Sequence, residues 1–398
     1  MLEYFQYLSD SQKERVFFKR PASVSKYESK EILSYAVGAA LYMPAIREDI
    51  ADLVIHQKYK EVCTIVLDLE DAVGDNRLAE AVNQTVVHLK KIESAMTQGN
   101  LDWVTLPFIF IRVRSATQLT EVAEKLGTSI GYLTGFVLPK FSSSNGSVYL
   151  QALKRTVAKS GTRLFAMPIL ESPELLYKES RYKEFETLSA LFEQYESSIL
   201  NVRIGATDLC GLYGIRRSAQ TPIYDISIMR DFISDVMNYF GRRFVVSGPV
   251  WEYFNSKRED LDESLEATVN TYNAGLLNET LLDLSNGLTG KTVVHPSHVK
   301  VVQSLNVVTY EEYHDALSII ENANGEIGVL KSSSYNKMNE VKPHYKWAMK
   351  ILTKSNIYGV YHDTYNFIKM LADPIPFSNS VEHERESGNH REQINHTN

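Results

Sequence analysis

A (β/α)8 barrel, the TIM-barrel architecture, with a helical C-terminal extension is the fold that three features of this 398-residue sequence predict. Short apolar, β-branched runs alternate with amphipathic stretches for most of the length, as expected of a parallel sheet with helical crossovers. Eight such runs occur before about Ala323. Acidic and basic residues gather directly behind these runs, at the strand ends where α/β enzymes carry their chemistry. An open doubly wound sheet is the runner-up, but no G-x-G-x-x-G follows an early strand.

After a polar lead-in to about Glu31, the first strand closes the segment Ser34 to Ala45, and Arg47 to Lys60 reads as helix. The second strand, Val62 to Leu69, is apolar without a break to Leu67, the pattern of a strand covered on both faces. A helix over Asn76 to Ser94 places Leu78, Val82, Val86 and Leu89 on one face. The third strand is Phe108 to Val113, with a helix from Thr117 to Leu126. The fourth is Gly135 to Leu138, followed by the loop FSSSNGS and a helix to about Lys159.

Arg163 to Ile169 is the fifth strand, with a tyrosine- and glutamate-rich helical region to Glu196. Asn201 to Ala206 is the sixth, with a helix from Asp225 to Phe240, and Arg243 to Ser247 is the seventh, with a helix from Asp260 to Leu277. Thr292 to His295 is the eighth. Beyond it, Tyr310 to Ala323 and two patterns within Met338 to Met370 are helical. The expected division is therefore a barrel domain over residues 1–323, a helical extension over 324–373 and a disordered tail over 374–398, which has almost no large apolar residue after Phe377.

A composition of 44% hydrophobic and 23% charged residues is that of a soluble globular protein. The net charge of −7, with no basic cluster, argues against nucleic acid as a partner. Cys63 and Cys210 form no ligand spacing and read as buried hydrophobes. The N-terminus has no uninterrupted apolar core of a signal peptide, and no run approaches a membrane span, so a cytoplasmic location without a membrane partner is expected.

The strand ends read LDLEDAV, IRVRS, VLPK, MPILES, RIGATDL, SGPV and VVHPS from the second to the eighth. Acids cannot be buried there unpaired, so Asp68, Glu70 and Asp71 must face a cation or water. Glu171 and Asp208 are the candidate direct ligands of a hard divalent cation, which is content with one or two carboxylates, waters and substrate oxygens. Glu70 and Asp71 would hold those waters, and Arg112 would clamp a substrate carboxylate. Taken singly, Asp68 or Asp71 serves equally well as a helix N-cap, whereas Arg112 reads rather as the partner of a neighbouring acid in a rim ion pair and Lys140 as a solvated rim lysine. The glycines Gly211 and Gly214, before Arg216 and Arg217, read as a plain loop rather than a phosphate site, and His295 and His298 as structural. Convergence on one rim is what favours a site.

These motifs, in this order over roughly Ala40 to Ala323, resemble the HpcH/HpaI aldolase and citrate lyase β-subunit superfamily. Its LDLEDAV-like run stands unaltered at Leu67 to Val73, its arginine-led RxN corresponds to Arg112-Val113-Arg114, and its V-L-P-K to Val137 to Lys140. Its I-E-T is matched by Leu170-Glu171-Ser172, its G-A-E-D-L by Gly205 to Leu209, and its G-K-x-x-I-H-P-x-Q by Gly290 to His298. The tyrosine-rich insertions and the segment SSSYNKMNEVKPHYKWA further resemble the branch of carbon–carbon bond lyases encoded in tellurite-resistance gene clusters.

The resemblance implies a Mg2+-dependent carbon–carbon lyase or aldolase acting on a small oxo-acid or acyl-type substrate through a metal-stabilised enolate, with Mn2+ as the substitute metal. Glu171 and Asp208 would be its metal ligands, Glu70 and Asp71 would hold metal-bound water, and Arg112 would contact substrate, joined by Lys140 and Arg114. A homo-oligomer, trimer or hexamer, is implied too. The sequence departs from the family at Arg114 (usually Asn), Thr207 (Glu), Ser247 (where an Asp-Gly often begins) and His298 (Gln). The Met-x-Asp that many relatives supply from a C-terminal segment is met only by Met338-Asn339-Glu340, which makes Glu340 the candidate substitute. Two alternatives stand beside this reading: a Schiff-base aldolase using Lys140, and an inactive barrel kept as a scaffold or regulator.

Overall fold

The computed structural model describes residues 2–254, 271–332, 334 and 336–372. The expected tail beyond Pro374, and the first half of the helix expected from Asp260, lie outside these residues. The barrel strands are β1 (Ala39–Pro44), β2 (Thr64–Asp68), β3 (Phe108–Arg112), β4 (Gly135–Leu138), β5 (Phe165–Leu170), β6 (Asn201–Ile204), β7 (Val245–Ser247) and β8 (Lys291–Val293). All neighbours are parallel, in the order β7-β6-β5-β4-β3-β2-β1-β8. A parallel bridge between Gly248 and Lys291, with Gly248 N–H donating to Gly290 C=O at 2.9 Å, joins β7 to β8 and closes the ring. Gly290 suits this seam, because its φ is +75° and a Cβ there would lie 2.5 Å from the Gly38 carbonyl oxygen.

Alternation along each strand divides the core in two. Leu41, Leu67, Ile109, Ile111 and Phe136 point outward and pack with helix residues such as Leu89, Val122 and Leu153. Ala40, Val66, Phe110, Val137 and Met167 belong to a second cluster with Tyr4, Phe5, Phe17, Tyr358 and Tyr361. The lead-in expected to be merely polar is thus a structural plug: Tyr4 and Phe5 are fully buried. Its apolar residues are interrupted by charges at no fixed period, so no helical or strand pattern announces them.

An early and a late segment of the chain meet at this plug. Strand Phe17–Lys19 pairs antiparallel with Val360–Tyr361, and the Tyr4 and Tyr358 rings lie 4.6 Å apart. Residues 324–372 contribute a short hairpin, Val329–Lys331 with Met338–Glu340, then the helices Val341–Tyr358 and Phe367–Ala372. Among the described residues no helix is long and apolar enough to cross a membrane.

Candidate active site

The acidic turn after β2 is folded by its own first residue. Asp68 Oδ1 accepts the Glu70 N–H at 2.9 Å and Oδ2 the Ala72 N–H at 3.3 Å, an Asx-type turn that aims the following acids over the barrel mouth. Arg112 is the register partner of Asp68 on β3, and binds it with Nε at 2.7 Å and Nη2 at 2.6 Å. Its Nη1 reaches Asp71 Oδ2 at 3.0 Å and Glu70 Oε2 at 2.9 Å. Burial alone would lower the pKa of Arg112, but the Asp68 carboxylate outweighs it and holds the charge in place. Burial raises the Glu70 carboxyl; Asp71 is held below its usual range because Arg112 and its other partners outweigh its own burial.

Glu171 follows β5 and is 4% exposed, with Oε1 accepting the Lys140 N–H at 2.8 Å. Lys140 holds a left-handed φ of +48°, rare for a side chain of this kind, and this conformation presents its amide to Glu171. Across from it, a Cβ on Gly205 would lie 1.9 Å from Glu171 Oε2, so glycine is the residue that leaves room for this carboxylate. Burial first, and the Asp208 carboxylate second, push the Glu171 carboxyl up to about 8. The Lys140 ammonium pairs with Glu70 and lies 3.5 Å from Asp71 and 3.6 Å from Asp208. Its desolvation is outweighed by these acids, so its pKa is raised.

Glu70, Asp71, Arg112, Lys140, Glu171 and Asp208 are thus linked around one mouth, as the sequence leads one to expect. Two other candidates are placed elsewhere. Arg114 donates Nε to Leu69 C=O at 2.9 Å and Nη2 to Glu70 C=O at 3.1 Å, and pairs with Asp75, so its guanidinium clamps the acidic turn. Glu340 is exposed at the end of the C-terminal hairpin and is not among the residues lining the cavity.

That cavity, of about 800 Å3, is lined by Tyr42, Asp68, Asp71, Arg112, Glu171 and Asp208, and also by Arg203 and Thr292. Sequence reasoning did not single out Tyr42, Arg203 or Thr292. The signal for Arg203 was present: a lone arginine inside the strand Asn201-Val202-Arg203-Ile204, two positions before Gly205 and therefore on the same inward face.

A second buried ionic cluster supports the mouth from outside. Lys291 on β8 reaches Glu279 at 2.9 Å and Asp283 at 2.7 Å, and Arg217 pairs with the same Glu279 and with Glu252. Tyr224 donates to Asp283 at 2.8 Å. Arg217 is therefore taken up in holding the loop after β6. His298 donates Nε2–H to Tyr253 C=O at 3.1 Å, and His295 contacts Ser297 at 2.7 Å, so both histidines serve local structure.

A divalent cation fits the mouth by its donor chemistry. Burial and a second carboxylate both disfavour the ionised form of Glu171, and an added positive charge beside it would offset both effects. A hard divalent ion is held by one or two carboxylates and completes its shell with water and substrate oxygens, while among the described residues no three His, Cys, Asp or Glu side chains form a cage.

Fold and rim together define a parallel-barrel enzyme with carboxylates at its strand C-terminal ends. The family model of the C–C bond lyases of the TIM-barrel fold matches residues 31–360, and the chain belongs to that family; it is a carbon–carbon bond lyase. Solved structures with the same fold include a citrate lyase from Burkholderia xenovorans LB400, 14% identical, with a TM-score of 0.57 over 85% of this chain and 96% of that one. A weaker likeness is to CitE from Mycobacterium tuberculosis in complex with magnesium, acetoacetate and coenzyme A, 17% identical, with a TM-score of 0.49 over 81% of this chain and 99% of that one. A comparison with curated protein sequences found no match.

Proposed function

We propose that the protein is a Mg2+-dependent carbon–carbon bond lyase for a small oxo-acid or acyl-type substrate. The observation that carries this reading is the pair Glu171 and Asp208 at neighbouring strand ends, where Glu171 is buried and its carboxyl is raised first by that burial and second by Asp208. These two residues would hold the ion, and Glu70 and Asp71 its waters. When bound, Mg2+ supplies Lewis-acid stabilisation of the enolate charge that develops as the carbon–carbon bond breaks or forms. Mn2+ satisfies the same oxygen donors.

The chain's own residues do the rest. Arg112, fixed by Asp68, holds Glu70 and Asp71 in place at the mouth, and the Arg114 clamp holds the turn that carries them. A Schiff-base route through Lys140 needs a neutral amine, whereas Glu70, Asp208 and Asp71 keep this one protonated. The same reading has the chain assemble as a trimer or hexamer, which light scattering checks, and places it in the tellurite-cluster branch of its family.

Thermal melting with and without Mg2+ tests the proposal. Wild type gains stability with Mg2+, and Glu171→Ala and Asp208→Ala lose that gain while still folding. A wild type indifferent to divalent ions at millimolar concentration contradicts it.

A further inference from the structure

Two guanidinium groups line the cavity, and they are in opposite states. Arg112 has an acceptor for every nitrogen: Nε and Nη2 on Asp68, Nη1 on Asp71. Arg203 is 1% exposed, yet among the described residues its one hydrogen bond is from Nη2 to the Thr292 hydroxyl at 2.7 Å, while Nε and Nη1 have no acceptor. The Tyr42 ring lies between them, 5.4 Å from the Arg112 Cζ and 5.9 Å from the Arg203 Cζ. Among the described residues no carboxylate pairs with Arg203. A buried, charged and under-satisfied fork is costly unless something brings it both acceptors and negative charge.

We infer that Arg203, rather than Arg112, receives a carboxylate of the substrate. The inference rests on the lyase reading for the identity of the cavity, and it deepens that reading by naming the substrate class. Arg203 and Gly205 share the inward face of β6, so Arg203 leaves the strand about 6–7 Å deeper than the level of Glu171. A substrate held at the mouth by one carboxylate and its neighbouring oxo group therefore meets Arg203 with a second carboxylate. The class is a short 2-oxo diacid. Discrimination follows from the same physics: a ligand with methyl in place of that carboxylate leaves the buried donors unpaired.

Calorimetry with matched pairs of acids tests this. Oxaloacetate against 2-oxobutyrate, and 2-oxoglutarate against 2-oxovalerate, differ only in a terminal carboxylate replaced by methyl. Wild type in Mg2+ is expected to bind at least one diacid about tenfold or more tighter than its partner. Arg203→Met removes the preference, retains Mg2+ binding and the weaker affinity for the monoacid, and melts no lower than wild type, because an uncompensated buried charge has gone. Arg203→Lys, which keeps the charge without the fork, folds and keeps a reduced preference. A wild type that binds no diacid or shows no preference, or a preference that survives in Arg203→Met, overturns the assignment; with Mg2+ binding intact, the lyase reading stands. A preference that depends on Arg203 in a protein that binds no Mg2+ supports the assignment and overturns the metal reading instead.

Discussion

Asp68 and Arg112 face each other as register partners on adjacent strands, and both oxygens of the carboxylate are taken by one guanidinium, at 2.7 and 2.6 Å. The pair fixes the turn carrying Glu70 and Asp71, and it occupies the Nε and one N–H of Nη2 of Arg112, which still lines the cavity.

Breaking this pair from one side strands a buried charge. Asp68→Ala is expected to cost about 3–5 kcal/mol in urea unfolding. The double variant with Arg112→Met should lose less than the sum of the two single changes, because the orphaned guanidinium goes with its partner. Additive losses would mean that the two side chains are energetically independent.

The acid–base state of Glu171 sets a pH dependence for the metal. A carboxyl pushed up to about 8 must lose its proton to bind a cation, so Mg2+ affinity should rise roughly tenfold per pH unit from pH 6 toward 8. Calorimetric titrations across that range check the slope, and a flat profile would count against Glu171 as a ligand.

Gly205→Ala probes the same carboxylate through sterics alone. The new methyl would lie 1.9 Å from Glu171 Oε2, so Glu171 must move or the strand must shift. The expected result is a folded protein destabilised by about 1–3 kcal/mol with its Mg2+ response weakened tenfold or more. An unchanged Mg2+ response would show that the position of Glu171 is unimportant.

Much of this site was legible in the sequence because its acids follow apolar runs whose length and spacing mark strand ends. Strand alternation places Asp68, Arg112 and Gly205 inward without reference to coordinates. What stayed hidden depends on distance between strands. An ion pair of Arg112 with a neighbouring acid is open to the sequence, but that the acid is Asp68, and that Arg203 goes short, follows from the register of β2 with β3 and from the neighbours of β6. The left-handed Lys140 has no sequence mark, since non-glycine residues seldom adopt that backbone. Lys291 read as a motif residue; its outward parity on β8 instead makes it the centre of a buried ion cluster with Glu279 and Asp283.

His298 stands where the family usually has glutamine, and it adds an acid sensitivity. Burial first and His295 second lower its pKa to about 4, while the unfolded chain titrates near the ordinary 6.5. The unfolded state then binds the extra proton, so stability is complete above pH 6.5 and is lost as the pH falls toward 4. His298→Gln should remove about 3 kcal/mol of the loss between pH 7 and 4, read as the difference between the two unfolding curves. Parallel curves would show that the imidazole titrates normally.

The account turns on a cation held between Glu171 and Asp208. A crystal structure of the protein grown with Mg2+ and pyruvate tests that most directly. The predicted result is metal density about 2.1 Å from an oxygen of each carboxylate, with the oxo-acid completing its shell. Density elsewhere, or Glu171 and Asp208 turned apart with Lys140 still between the acids, would contradict it.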